Sequence, residues 1–218
     1  GLDEIGREDW DACANPQGQT GGRDDPFVSH DFLAGLERSG CVSGEHGWLP
    51  QHLVLDGPDG RPAAVAPLYL KGHSYGEYVF DHAWADAWRR AGGRYYPKLQ
   101  MSVPFTPVTG GRLLVRPGPT EAEDRRLLAS AAVELCRRLD ASSVHATFLT
   151  SDDAETFAEA GWLARTDRQF HFVNAGYKSY DDFLVTLASR KRKALKKGRR
   201  EALADGISID WVGGRDIT

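Results

Sequence analysis

Three cysteines are too few and too scattered for a disulfide framework: Cys13, Cys41 and Cys136 form no CxxC pair and no zinc-knuckle spacing. The seven histidines offer no HExxH pair either, so no metal is expected. No apolar run approaches the roughly 18 residues that a membrane span requires, which predicts no membrane insertion. The opening residues, GLDEIGREDWD, are acidic where a secretory signal has a basic segment followed by an apolar one, which predicts a cytoplasmic protein. Internal repeats, heptads and low-complexity tracts are absent as well.

What is present is the composition of a soluble globular chain, 41% hydrophobic and 27% charged. Its 218 residues suffice for one large domain, or for one domain and the beginning of another. A net charge of −4 conceals two unlike parts. The stretch 190–200, RKRKALKKGRR, carries eight cations, so the rest of the chain sums to −12.

Periodicity predicts helices at 8–14 and from Pro26 to about residue 40, separated by a flexible loop at 18–22. Residues 51–56 and 62–70 flank DGPDG and read as a hairpin, whose second arm must open or bulge near Pro67. Strands are expected at 98–103 and 112–115. A helix follows Thr120, where Glu123 completes a capping-box pattern and Leu127, Leu128, Ala131, Ala132, Leu135 and Leu139 share a face. A strand at 144–149, a helix at 152–160, a strand at 168–173, a long helix at 179–204 and a strand at 207–212 complete the pattern. Gly198 lies near the apolar face of that long helix, where it would let another backbone approach. Alternating helices and strands imply the α/β class, a mixed sheet with helices on both faces.

Chemistry concentrates at 73–109, HSYGEYVFDHAWADAWRRAGGRYYPKLQMSVPFTPVT. Rings and ionisable groups interleave there without a period of two or 3.6, as in the lining of a ligand cleft with apolar walls and a few placed polar groups. The plainer alternative makes the rings half-buried structural residues and 82–90 an ordinary surface helix. Glu77 and Asp81, amid Tyr78, Phe80 and Trp84, are candidate general bases, since apolar surroundings raise a carboxylate pKa. The alternative pairs them with Lys71, Arg89 or Lys98. His73, Tyr75, Tyr78, Trp84, Tyr96, Lys98, Gln100, Phe105 and Arg112 are the candidate substrate-binding residues. Lys98, Gln100, Arg112 and Arg116 around Gly110-Gly111 form a weak anion-site pattern. In the basic stretch Arg190, Lys193, Lys197 and Arg200 can point outward together, to meet nucleic-acid phosphates or other anions, or only solvent.

The segments HSYGEYVFDHAWADAW, GGRYYPKLQMSVPFTPVTGGRLL and QFHFVNAGYKSYDDFLVTLASRKRKALKKGRR resemble the FemAB-like proteins, a family placed in the GNAT acyltransferase superfamily, from about residue 5 to the end. The resemblance implies a tandem of GNAT-like domains: residues 1–178 would be the first, and 179–218 a basic helix and strand leading into a second that is largely absent. It implies an acyl or aminoacyl transferase in bacterial peptidoglycan biosynthesis, with this half binding the amine acceptor, a peptidoglycan precursor or other peptide-like molecule. The donor would be acyl-CoA or aminoacyl-tRNA, with tRNA contact through the basic helix. Neither 89–94 nor 112–116 fits the Arg/Gln-x-x-Gly-x-Gly/Ala loop that cradles a pyrophosphate in ordinary GNAT enzymes, so no cofactor is expected on this half. The alternative is a non-catalytic GNAT-like module that binds a peptide, a cell-wall precursor or RNA.

Overall fold

The computed structural model describes residues 1–16 and 24–216. The loop expected at 18–22 lies outside the described residues. Contacts divide the chain into two compact units, Gly1–Arg165 and Thr166–Thr218. That division falls ahead of the 178/179 boundary that the resemblance implies.

The first unit runs α1 (Arg7–Ala14), α2 (His30–Arg38), β1 (Trp48–Pro50), β2 (Leu53–Asp56), β3 (Pro62–Ala66), β4 (Leu68–Lys71), α3 (His82–Arg90), β5 (Lys98–Met101), β6 (Leu114–Val115), α4 (Glu121–Arg138), β7 (Val144–Ala146) and α5 (Ser151–Glu159). The hairpin forms, and Pro67 divides its second arm. β3 pairs with β2 and β6 in a three-stranded antiparallel sheet, whereas β4 pairs with β1 and β5 in a four-stranded one, order β1-β4-β5-β7. A proline has no backbone N–H for a ladder, so the break falls where a donor is missing. The β5–β7 pair is parallel, which makes the larger sheet mixed.

Alternation along β3 places helices on both faces. Val65 joins Leu114, Trp10 of α1 and Leu33 of α2 on one side, while Ala64 and Ala66 meet Leu128, Ala129 and Ala132 of α4 on the other. Leu68, Leu99 and Met101 extend the α4 side into the larger sheet. Each buried leucine contributes about 1.5–3 kcal/mol, so α4 is the main clamp between the sheets. The class is therefore α/β, a mixed-sheet arrangement with helices on both faces, of the kind expected for a GNAT-like domain. The capping box at Thr120 does not form: its hydroxyl donates to Asp124 Oδ2 at 2.7 Å and its backbone is not extended, so it cannot accept from the helix. Leu127 faces solvent.

In the second unit the long basic helix is interrupted. α6 (Tyr180–Val185) ends where the Thr186 hydroxyl donates to the Phe183 carbonyl, and α7 (Ser189–Ala202) begins after an extended Ala188. No residue of α7 is buried, and nothing lies within 4 Å of the position a Cβ would take at Gly198, so its apolar residues form no packed stripe and Gly198 admits no close backbone. The strands expected at 168–173 and 207–212 are absent. A strand needs a ladder partner, and neither segment pairs with another among the described residues.

Candidate functional site

The period of two in β4 (LYLK) and β5 (KLQM) sorts the larger sheet into an apolar face and a polar one. Leu68, Leu70, Leu99 and Met101 turn toward α4, so Tyr69, Lys71, Lys98 and Gln100 must turn to the opposite side. Register then sets Lys71 directly across from Lys98 and Tyr69 across from Gln100, with Trp48 beside Lys71 and His145 beside Gln100. Like charges facing each other across a ladder repel. The sequence resolves this by giving each lysine a different partner.

Lys71 Nζ lies over the Trp48 ring, 3.3 Å from its centroid, and donates to the Tyr75 carbonyl at 3.3 Å. Lys98 Nζ donates to Glu77 Oε2 at 2.8 Å and to Asp81 Oδ2 at 2.7 Å. Both carboxylates come from the loop that follows β4. Glu77, Asp81 and Lys98 are 3%, 1% and 0% exposed, so the triad is sealed from solvent. Tyr95 donates its hydroxyl to Asp81 Oδ2 at 2.8 Å, and the Ser74 and Tyr96 hydroxyls share a hydrogen bond of 2.7 Å. Glu77 Oε1 and Asp81 Oδ1 are buried without a protein partner.

Contacts hold the loop in a strained backbone form. Gly76 (φ 79°) gives its carbonyl to the Phe105 N–H at 3.0 Å, and a Cβ on it would lie 2.6 Å from the Phe105 ring. Tyr78 (φ 56°) and Phe105 (φ 59°) themselves adopt the left-handed conformation, which costs about 1–2 kcal/mol for a bulky L-residue. Such outliers cluster where surrounding contacts over-determine them, often at working sites. The same loop that buries Glu77 and Asp81 turns Tyr75, Tyr78 and Phe80 outward.

Electrostatics separate the titratable groups of the cluster. Burial pushes the Glu77 carboxyl above its usual range despite the pull of Lys98. Burial would raise Asp81 too, but the Lys98 hydrogen bond and charge, with Ser74 and Tyr95, hold it below the ordinary value. Burial depresses Lys71 to about 7, with Glu77 opposing and Lys98 reinforcing the shift. His145, beside Gln100 and hydrogen-bonded to the Ser143 hydroxyl at 2.9 Å, is pushed down to about 4 by burial and by Lys98, so it is neutral at physiological pH.

The family model for FemAB-like proteins, described as peptidoglycan biosynthesis or recognition, matches residues 1–218, the whole chain. The chain belongs to the FemAB-like family. No curated protein and no solved structure matches it.

In this FemAB-like chain the two ring-rich segments do meet, through Lys98, Tyr95, Tyr96 and Phe105, but they close on each other rather than around an open hollow. Salt bridges and hydrogen bonds fill the space that the cleft reading left for a guest. Glu77, Asp81, Tyr96, Lys98 and Phe105 are brought together, while Gln100 lies one register row away and donates to Thr147 Oγ1 at 3.0 Å. Of the two carboxylates only Glu77 keeps the raised pKa expected of a base; Asp81 is a fixed anion for Lys98. His73 is half-buried, its ring 5.0 Å from that of Tyr75. Trp84 lies on the exposed side of α3.

Arg112 does not meet a substrate anion. It is fully buried, and its guanidinium donates to the carbonyls of Thr147, Gly111 and Val108 at 3.2, 2.9 and 2.9 Å. Arg116 pairs with Asp59 and Lys98 is committed to its carboxylates, so the Gly110-Gly111 turn gathers no uncommitted cation from this set. Arg190, Lys193, Lys197 and Arg200 are exposed on α7 in the second unit. No group of three or more His, Cys, Asp or Glu stands where it could hold a metal ion among the described residues, and no helix among them is long and apolar enough to cross a membrane.

Sequence reasoning named Lys71 only as an alternative ion-pair partner of Glu77 and Asp81, a place that Lys98 takes, and missed Trp48, Ser74 and Tyr95 as members of the cluster. A signal was available: LYLK and KLQM both alternate, and superposing the two periods puts Tyr69, Lys71, Lys98 and Gln100 on one face.

Proposed function

We propose that this FemAB-like chain is the acceptor-binding half of an acyl or aminoacyl transferase, and that its 72–81 loop receives an amine of a peptide-like peptidoglycan precursor. The observation that carries the reading is the loop itself, which presents rings outward and holds beneath them two carboxylates with one unpartnered oxygen each. Acyl transfer to an amine requires a neutral nucleophile. The amine lone pair attacks the donor carbonyl, the bond to the leaving oxygen or sulfur breaks, and the ammonium proton must go to a base. Glu77, raised by burial, suits that task, and Asp81 with Lys98 fixes its position. Lifting the loop would expose Glu77 to the acceptor. The donor, acyl-CoA or aminoacyl-tRNA, would be held by a second GNAT-like domain, and the reaction would take place in the cytoplasm.

Calorimetry with a free-amine stem peptide tests the reading. Tyr78→Ala and Glu77→Gln are each expected to weaken binding about tenfold, roughly 1.4 kcal/mol, in proteins whose unfolding shows that they remain folded. Unchanged affinity in both would remove the loop from the acceptor site. A non-catalytic binder would show the same affinities without turnover by the full-length protein.

A second reading rests on α7. Seven of its eight cations are exposed, Arg192 being half-buried, and only Lys196 and Lys197 meet a carboxylate among the described residues, Asp181 and Glu201. That leaves most of the helix available to phosphates of tRNA.

A further inference from the structure

Helix α3 is amphipathic the wrong way round for a helix that serves only a core. Ala83, Trp84, Ala87 and Trp88 recur at the three- and four-residue spacing of one helical face, with Phe80 just before the helix and Ala91 just after it. All six face solvent, with Phe80, Trp84 and Trp88 at 74%, 62% and 57% exposed, and only Ala85 of the helix is buried. Tyr75 continues the patch, its ring 6.3 Å from that of His82 at the start of the helix. Contiguous exposed apolar surface of this kind marks an interaction site.

Cations stand near the stripe. Arg90 lies in the last turn, about a quarter-turn from the rings, the Arg165 guanidinium lies over the Trp84 ring at 5.7 Å, and Arg89 sits farther round the helix. Asp86, the one carboxylate of the helix, is engaged by Arg89 at 3.1 Å. Between the rings stand alanines, not the amides and hydroxyls that would hold a saccharide. Two copies of the chain meeting through this face would oppose arginine to arginine. Indole rings beside guanidinium groups match instead the boundary of a bilayer, where the rings sit among headgroups and the cations meet phosphates.

We propose that α3 and the loop before it form a docking face for an anionic lipid surface, on which the protein lies without crossing it. The face shares Tyr75 and Phe80 with the 72–81 loop of the acceptor reading, so its test is placed on Trp84, Trp88, Arg89 and Arg90, which that reading does not use.

Sedimentation of the whole chain with vesicles tests it, comparing phosphatidylcholine alone with a mixture containing about a third phosphatidylglycerol. The expected result is binding to the anionic vesicles, weakened by salt, with a blue shift of tryptophan emission. Trp84→Ser with Trp88→Ser should reduce that binding at least tenfold, and Arg89→Gln with Arg90→Gln should reduce it on anionic vesicles. All four side chains are exposed, so the fold should survive, as unfolding curves would verify. Absence of binding to either vesicle would overturn the proposal. So would binding that the tryptophan variant retains, which would locate the contact on α7, or concentration-dependent dimerisation abolished in that variant without any vesicle binding, which would make the face a contact between copies.

Discussion

Replacing Lys98 by methionine preserves the length of the side chain and removes its charge, leaving Glu77 and Asp81 sealed from solvent with no cation between them. Removing one partner of a buried pair costs about 3–5 kcal/mol, because the remaining charge is neither hydrated nor compensated. For a chain of this size each kcal/mol shifts the melting temperature by about 2–4 °C, so a fall of about 6–20 °C is expected. The pH dependence is more diagnostic. In the native protein Asp81 is held below its ordinary pKa, so its contribution to stability is present above about pH 4 and lost as pH falls through the depressed value. In Lys98→Met the buried carboxylates lose the group that favours ionisation, their pKa values rise above the unfolded ones, and the variant regains stability on acidification from pH 7 to about pH 5. Urea unfolding across that range measures both effects. Arg94→Met, which removes the exposed pair with Asp140, is the control and should cost no more than about 1 kcal/mol. A Lys98→Met loss no larger than the control's, or a deficit that does not shrink toward pH 5, would refute the account of the triad.

Two further outcomes follow from other parts of the molecule. Lys71 is expected to titrate near neutrality by NMR of its side chain. Its folded pKa is depressed from 10.5 to about 7, so its unfolded state binds the extra proton and its contribution to stability rises with pH across that window; Lys71→Met should flatten that rise, and an ordinary lysine titration would contradict the burial argument. Changing the lysines of α7 to glutamine should lower the salt slope of tRNA binding by roughly one for each phosphate that the helix no longer neutralises, and a slope that does not move would leave the helix as a solvated face.

The amino-acid sequence alone disclosed the α/β class, the hairpin with its break at Pro67, the clamp helix α4 and the concentration of chemistry in residues 73–109. These follow from short-range rules, since a missing donor, a period of 3.6 or a dense run of rings can be read without knowing what lies opposite. The segments at 168–173 and 207–212 form no strand, because strand character depends on a partner and no described segment pairs with either. Only the tertiary structure decided that Lys71 and Lys98 stand face to face, that Glu77 and Asp81 enclose the second of them, and that the rings of α3 look outward. Those facts depend on cross-strand register and on the path of a loop joining residues 21 and 17 positions apart, and local propensity carries no information about which distant charge will arrive to satisfy a buried one.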